Sequence, residues 1–419
     1  MARVRVLMLS WEYPPLLVGG LGRHVHALAE QLAADRHEVT VLTRDGGPDA
    51  SVALPADEVV RGVRVVRVPE EQAQPRFSEE LLAWAAALNR SLTRAGHALP
   101  ERPDVVHAHD WLAGRAGTAL AEHLRAPLVA TLHATEAGRH QGWLPEPLNR
   151  AVHAEEWQLA SGAARVITCS AAMRWEVTRL FDLPAEVVDV VPNGVDLDRW
   201  RTTPDAVAAA RRRWAPDGPL VLYSGRLVYE KGVHDLLAAV PRLRRRNPGV
   251  RVVVAGTGPK AAELRGLARR LRLGRSVAFA GFVPDAELAA LAAAADCAVV
   301  PSVYEPFGLV ALEAGAAGTP VVVSDVGGLR EFVAHGRTGL RFAAGDRGGL
   351  ADAVTELLAD PRLGRRLAEQ ARLVLHRDHA WSRVAERTVV VYRRAAVDRR
   401  VPTPGAPPLA EGNLLTGAP

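Results

Sequence analysis

The chain has 419 residues, enough for two domains of ordinary size, and no apolar run approaches the length of a membrane span. Its formal net charge of +5 comes almost wholly from arginine, spread along helical stretches such as Arg242, Arg244, Arg245 and Arg246, while aromatic residues make up only 5%. Without interleaved aromatics there is no stacking platform for nucleic acid, so the charge reads as solvated helix faces; peripheral attraction to a membrane surface or an anionic substrate stays open.

In chain order, Val6–Leu9 is too short for a signal peptide, is broken by Trp11-Glu12-Tyr13, and reads as a first strand, Arg3–Ser10. Gly19-Gly20-Leu21-Gly22 follows it and opens a helix over His24–Ala34. Glycines there permit positive φ and let a ligand approach the backbone. Strands follow at Glu38–Thr43, Val63–Val68, Asp104–His107, Leu128–Leu132, Arg165–Cys169 and Val187–Val191, with helical patterns such as Glu79–Arg94 and Leu148–Ala160 between most of them. This alternation predicts a mostly parallel sheet covered by helices. His107-Ala-His109-Asp110-Trp111 and Thr131-Leu-His133 end two of these strands. We read no metal site in this cluster of His107, His109, Asp110 and His133, because strand neighbours point to opposite faces and no third ligand pattern supports one. Polar residues at strand ends also cap helices, which is the plainer role for Asp110. The loop Ala134–His140 is a candidate acceptor region.

Pro192-Asn193-Gly194-Val195-Asp196 is a strong turn signal, and the linker is expected at 192–200. The second half repeats the alternation with strands at Leu220–Ser224, Val250–Ala255, Val277–Ala280, Cys297–Val300 and Pro320–Ser324. Gly225 ends the first of these, and Arg226, Lys231 and Gly232 follow. The chain has only two lysines, Lys231 and Lys260, so a retained Lys231 hints at a need for a compact point charge. Pro301–Glu313 sets Glu305 and Glu313 on either side of a helix start at Gly308. A helix N-terminus suits a phosphate, whereas carboxylates suit hydroxyls beside it; together they describe a nucleotide sugar. Cys169 and Cys297 lie in buried strands and read as structural thiols. Trp381, Val384, Ala385, Val389 and Tyr392 form one helical face. The Pro- and Gly-rich tail, 401–419, is expected to be disordered.

Gly225-Arg226 with Glu230-Lys231-Gly232, followed by Glu305 and Glu313 at their spacing, resembles the retaining family 4 glycosyltransferases from Met1 to about Arg394. The resemblance implies the GT-B fold: two facing Rossmann-like domains, 1–195 on the acceptor side and 196–380 binding the nucleotide sugar, with a cleft between them. A helix at 381–400 would cross back to the first domain. Trp11-Glu-Tyr-Pro-Pro, the glycine loop and His109-Asp110-Trp111 are most similar to the glycogen-synthase-like branch. Leu17 stands where starch and glycogen synthases carry a lysine.

The resemblance further implies glucose transfer from a nucleoside-diphosphate glucose to the non-reducing end of an α-1,4-glucan. His133 would lie beside the donor sugar, with its backbone carbonyl facing the reacting carbon. Arg226 and Lys231 would stabilise the departing diphosphate, helped by the amides of Gly308 and Leu309. Glu305 would hold sugar hydroxyls and Glu313 ribose hydroxyls, with Gly19, Gly20 and Asp110 completing the donor site. No cofactor or metal is implied beyond the donor itself, and a cytoplasmic location is expected. The rival is a family 4 transferase of glucose or mannose onto a lipid or small metabolite. A nucleotide-sugar epimerase shares the fold, but the paired glutamates argue against it.

Overall fold

The computed structural model describes residues 3–46, 54–70, 80–398 and 413–415. The chain divides into two compact units, Met1–Asn193 with Trp381–Pro419, and Gly194–Ala380.

The first unit is an eight-stranded sheet: β1 (Arg5–Leu9), β2 (Glu38–Arg44), β3 (Asp57–Val60), β4 (Val63–Val68), β5 (Val105–His109), β6 (Leu128–Leu132), β7 (Arg165–Thr168) and β8 (Val188–Val190). Their order is β3-β4-β2-β1-β5-β6-β7-β8, and every pair is parallel except β3 with β4. Central strands β5 and β6 are buried along their whole length, as a parallel sheet covered on both faces requires. The helices are α1 (Gly20–Ala34), α2 (Leu81–His97), α3 (Gly114–Leu124), α4 (Glu136–Arg139), α5 (Pro147–Gly162) and α6 (Ala171–Phe181). Antiparallel β3 escapes the sequence alternation because it lies at the sheet edge, with three of its four residues exposed. Arg61 and Gly62, at φ 48° and 83°, join it to β4 in a two-residue hairpin turn.

The C-terminal helix, Trp381–Val397, packs on α1, β5, β6 and β7. Val384, Ala385, Val389 and Tyr392 are its buried face. Arg165 pairs with Asp398 at 3.0 Å and with Asp189 at 2.6 Å, and Arg394 reaches Asp189 at 2.8 Å, so ion pairs fasten the far end of this helix. Residues 399–400 of the expected crossover helix lie outside the described residues, as does most of the expected disordered tail. Of that tail, Asn413 donates to Gln141 O at 3.0 Å and Leu414 N–H to Gly142 O at 2.8 Å.

The second unit holds six parallel strands: β9 (Leu220–Ser224), β10 (Arg251–Ala255), β11 (Val277–Gly281), β12 (Cys297–Val300), β13 (Val321–Ser324) and β14 (Leu340–Phe342), in the order β11-β10-β9-β12-β13-β14. Helices α7 (Pro204–Trp214), α8 (Val233–Arg246), α9 (Ala261–Arg270), α10 (Asp285–Ala294), α11 (Leu309–Ala316), α12 (Leu329–Phe332), α13 (Arg347–Ala359) and α14 (Pro361–Asp378) complete it. Val221, Tyr223, Leu236, Val240, Val252, Val254 and Val299 anchor its core. Strand β14, three residues long, is below the length at which alternation can be read from sequence. Both units are therefore Rossmann-like α/β layers, and in each the strand ends carry the predicted site residues.

Candidate active site

In the first unit the glycine loop is organised by a residue that sequence reasoning passed over. Glu12 is buried, and its Oε2 accepts from the N–H groups of Val18 at 2.7 Å and Gly19 at 2.9 Å. Burial pushes its carboxyl above the ordinary range, while those two donors pull it back. Gly19 is the N-cap of α1 at φ −152°, and Gly20 is the first helical residue. None of Gly19, Gly20 and Gly22 takes a positive φ, which corrects the conformational reason given for this loop. The constraint is steric instead: a Cβ on Gly22 would lie 2.5 Å from Leu17 Cδ2 and 2.8 Å from Glu12 Cβ. The N-cap of α1, Gly19, has no side chain to cap the helix, and the Glu12 carboxylate takes the Gly19 N–H instead. Leu17, at the position of the missing lysine, is 40% exposed.

Strands β5 and β6 deliver four imidazole and carboxyl groups to one place. His107 is fully buried, bonded through Nδ1 to Tyr392 Oη at 2.8 Å and through Nε2 to Thr131 Oγ1 at 2.7 Å. His109 Nδ1 lies 3.2 Å from His133 Nε2. Asp110 has φ 57°, outside ordinary strand geometry, and this turns its carboxylate towards β6. Its Oδ1 accepts from His133 N–H at 2.7 Å and its own N–H donates to Thr131 O at 2.9 Å. Asp110 thus fixes the His133 backbone, and the helix-capping alternative is absent, because its side chain makes no cap bond to the following turn. Burial pushes the Asp110 carboxyl up to about 6, against the lowering effect of the His133 N–H and Arg139. Burial pulls His133 down to about 4, so its ring is neutral at physiological pH.

The loop after His133 is wired into the unit by carboxylates with no sequence signature. Glu156 is buried on α5, and both of its oxygens accept from Glu136 N–H, at 2.9 and 3.1 Å. Thr135 caps α4 by accepting from Gly138 N–H and donates to buried Glu176. Glu136 accepts from Asn149 Nδ2 at 2.7 Å and lies 3.5 Å from Arg139.

In the second unit β9 ends at Gly225, φ 144°, and Tyr223 Oη donates to Arg226 O at 2.8 Å. Arg226 is exposed, 3.7 Å from Glu230. Lys231 Nζ meets Glu305 Oε2 at 2.6 Å, and Ser302 Oγ donates to the same oxygen at 3.0 Å. Gly232, the N-cap of α8, has φ 65°, and a Cβ there would fall 1.8 Å from Pro301 O. That close approach brings the Lys231 and Glu305 loops together. Gly308 is the N-cap of α11 at φ 100°, with Leu309 the first helical residue and Glu313 half-buried farther along it. No side chain caps this helix either.

Two glycine pairs missed in the sequence complete this half. Gly328 N–H donates to Glu305 O at 3.0 Å, and a Cβ on Gly327 would lie 2.1 Å from that oxygen. Gly256 and Gly258, after β10, pack on Gly225 O and Leu227 O. Each pair stands just after a strand, which is the signal by which it was findable.

Arg226, Lys231, Glu305, Gly308, Leu309 and Glu313 thus share the second unit, and Gly19, Gly20, Asp110 and His133 the first. Residues 208–374 match the family model "Glycosyl transferases group 1" and residues 18–199 match "Glycosyltransferase Family 4". A glycogen synthase of Mycobacterium tuberculosis is 47% identical over 412 residues, covering 96% of this chain and 98% of that one. An alpha-maltose-1-phosphate synthase of Mycolicibacterium smegmatis is 33% identical over 94% of this chain and 100% of its own. Among solved structures, sucrose-phosphate synthase from Thermosynechococcus elongatus superposes with a TM-score of 0.80 at 28% identity, covering 94% of this chain and 99% of that one. The chain belongs to the family 4 glycosyltransferases, with the GT-B fold, and is glycogen-synthase-like within them.

Proposed function

We propose that the protein is a retaining glucosyltransferase that moves glucose from a nucleoside-diphosphate glucose to the non-reducing end of an α-1,4-glucan. The observation that carries this reading is 47% identity to a glycogen synthase across both units. The geometry supplies a matching chemistry. The uncapped start of α11, with the amides at Gly308 and Leu309, suits the diphosphate. Arg226 and Lys231 offset the charge that develops on it as the glycosidic bond breaks. Glu305 holds hydroxyls of the transferred sugar and Glu313 those of the ribose. On the first unit, the His133 backbone, held by Asp110, faces the reacting carbon, and the leaving phosphate oxygen takes the acceptor proton. Gly19 and Gly20 offer backbone to the donor. Loop 134–140 receives the acceptor.

Arg and Lys supply the charge a metal would otherwise bring, so transfer in this reading is metal-independent. Activity should survive EDTA. Loss on chelation, restored by manganese or magnesium, would sink that part. Both cysteines are free and buried, and no helix among the described residues is long and apolar enough to cross a membrane; a cytoplasmic location goes with this reading.

A second reading places the glucosyl group on a small phosphorylated sugar. It is favoured by the 33% identity to an alpha-maltose-1-phosphate synthase and by Arg139 in the acceptor loop. A panel of ADP-, UDP- and GDP-glucose, each offered maltooligosaccharides or glucose 1-phosphate, decides between them. Lengthened glucan with one donor supports the first reading; a phosphorylated disaccharide supports the second.

A further inference from the structure

His24 on α1, His109 at the end of β5 and His133 after β6 come from three elements of one unit, and each offers a ring nitrogen within 4.8 Å of the other two. Among the described residues this is the only such group of three or more metal-ligating side chains. The His24 ring centroid lies 4.9 Å from that of His133 and 5.7 Å from that of His109. The strand-alternation argument against a metal applies to neighbours on one strand, not to ligands drawn from three elements.

One feature sets this cluster apart from an ordinary group of core histidines. Buried polar atoms are nearly always bonded. His107, next to the cluster, satisfies both ring nitrogens. His24 Nδ1 is buried and has no partner, and His109, which faces His133 through Nδ1, has none at its buried Nε2 either.

The geometry is close to coordination. His109 Nδ1 and His133 Nε2 are 3.2 Å apart, near the edge of a tetrahedron built on bonds of about 2.0–2.1 Å. Three atoms no more than 4.8 Å apart fit within a circle of roughly 2.8 Å radius, so shifts of at most about 0.7 Å complete the bonds. Three imidazoles without a carboxylate or thiolate select a zinc-class ion over magnesium or calcium. They also leave a fourth position open.

We propose that His24, His109 and His133 form a site for a divalent zinc-class ion, and that its occupancy halts transfer. Binding ties the start of α1 to the ends of β5 and β6. The halt rests on the reading of His133 as a donor-side residue, since the bound ion would stand where the sugar belongs. The ion is an inhibitor here, not a participant, which is compatible with the expectation that activity survives chelation.

Cobalt titration of the metal-free protein tests binding without any turnover. One equivalent should produce the visible bands of low-coordinate cobalt, and zinc should bleach them. His24→Gln and His109→Gln should each weaken binding at least tenfold while keeping the wild-type circular dichroism spectrum. No bands in the wild type, or bands unchanged in both variants, overturn the site. The second outcome would move it elsewhere, for example to His97 and His123, whose rings are 4.1 Å apart. Should the variants misfold, imidazole NMR of the wild type decides: zinc must shift three histidines together, and shifts at fewer overturn the site. Zinc should also stop turnover, with EDTA restoring it. Binding at these three residues with undiminished turnover overturns the inhibition and the donor-side reading of His133, and leaves the site standing.

Discussion

The Lys231 ammonium and the Glu305 carboxylate are 2.6 Å apart, half-buried and buried respectively, with Ser302 donating to the same carboxylate oxygen. An ion pair in this setting has two consequences. It holds both groups in fixed positions before a donor arrives, and it makes each the other's burial partner. Lys231→Ala should therefore lower turnover by about 3–4 kcal/mol of barrier while the protein remains folded, and Arg226→Ala should act in the same direction. Near-normal turnover in either variant removes the electrostatic assignment. Glu305 and Glu313 should fail differently. Glu305, beside the transferred sugar in the proposed reading, would make contacts that strengthen as charge develops, so Glu305→Gln should mainly lower kcat. Glu313 lies on α11, away from the reacting bonds in this reading, so Glu313→Gln should mainly raise the donor KM. Steady-state kinetics with donor varied and acceptor saturating separates the two. An equal loss of kcat with donor KM unchanged in Glu313→Gln contradicts the division of roles.

At the scale of elements, the C-terminal helix reaches the His133 backbone through a chain of hydrogen bonds. Tyr392 Oη bonds His107, His107 bonds Thr131, the Thr131 carbonyl accepts from Asp110, and Asp110 accepts from His133. Tyr392→Phe leaves a fully buried His107 nitrogen without a partner, so it should cost about 1–3 kcal/mol of stability by denaturant unfolding. An unchanged unfolding midpoint would show that this link carries no net stability. The apolar face holding Tyr392 was legible in the sequence because Val384, Ala385, Val389 and Tyr392 recur at helical spacing. Strands β9, β10, β12 and β13 were legible because buried parallel strands are unbroken apolar runs. Glu12 and Glu156 were not, because their partners are backbone groups brought near by tertiary folding. An edge strand such as β3, exposed and carrying Asp57 and Glu58, has no apolar pattern to read.

At the scale of the whole molecule, the least ordinary charge is Glu156, a carboxyl buried in the first unit beneath loop 134–140. Burial raises it well above the ordinary 4.5, with the Glu136 and Asp110 carboxylates pushing the same way and Arg139 opposing. A carboxyl raised by folding makes no difference below its unfolded-state pKa. As pH climbs past that value the unfolded chain releases the proton while the folded chain keeps it, so the fold loses stability until the folded-state pKa is passed. The contribution of Glu156 to stability should therefore increase as pH falls towards the ordinary carboxylate range, while the buried neutral histidines, held below their ordinary range, pull the other way. Glu156→Gln keeps a side-chain oxygen to accept the Glu136 N–H and removes the proton equilibrium. The variant should be at least as stable as the wild type at the alkaline end, with an advantage that shrinks as pH falls. Titrating groups remote from Glu156 contribute equally to both proteins, so the difference between their thermal midpoints reports this carboxyl together with its coupled neighbours Glu136, Asp110 and Arg139. A Glu156→Gln protein less stable than the wild type by the same margin at every pH would mean that the carboxylate is held ionised by its donors and Arg139, and that loop 134–140 depends on its charge.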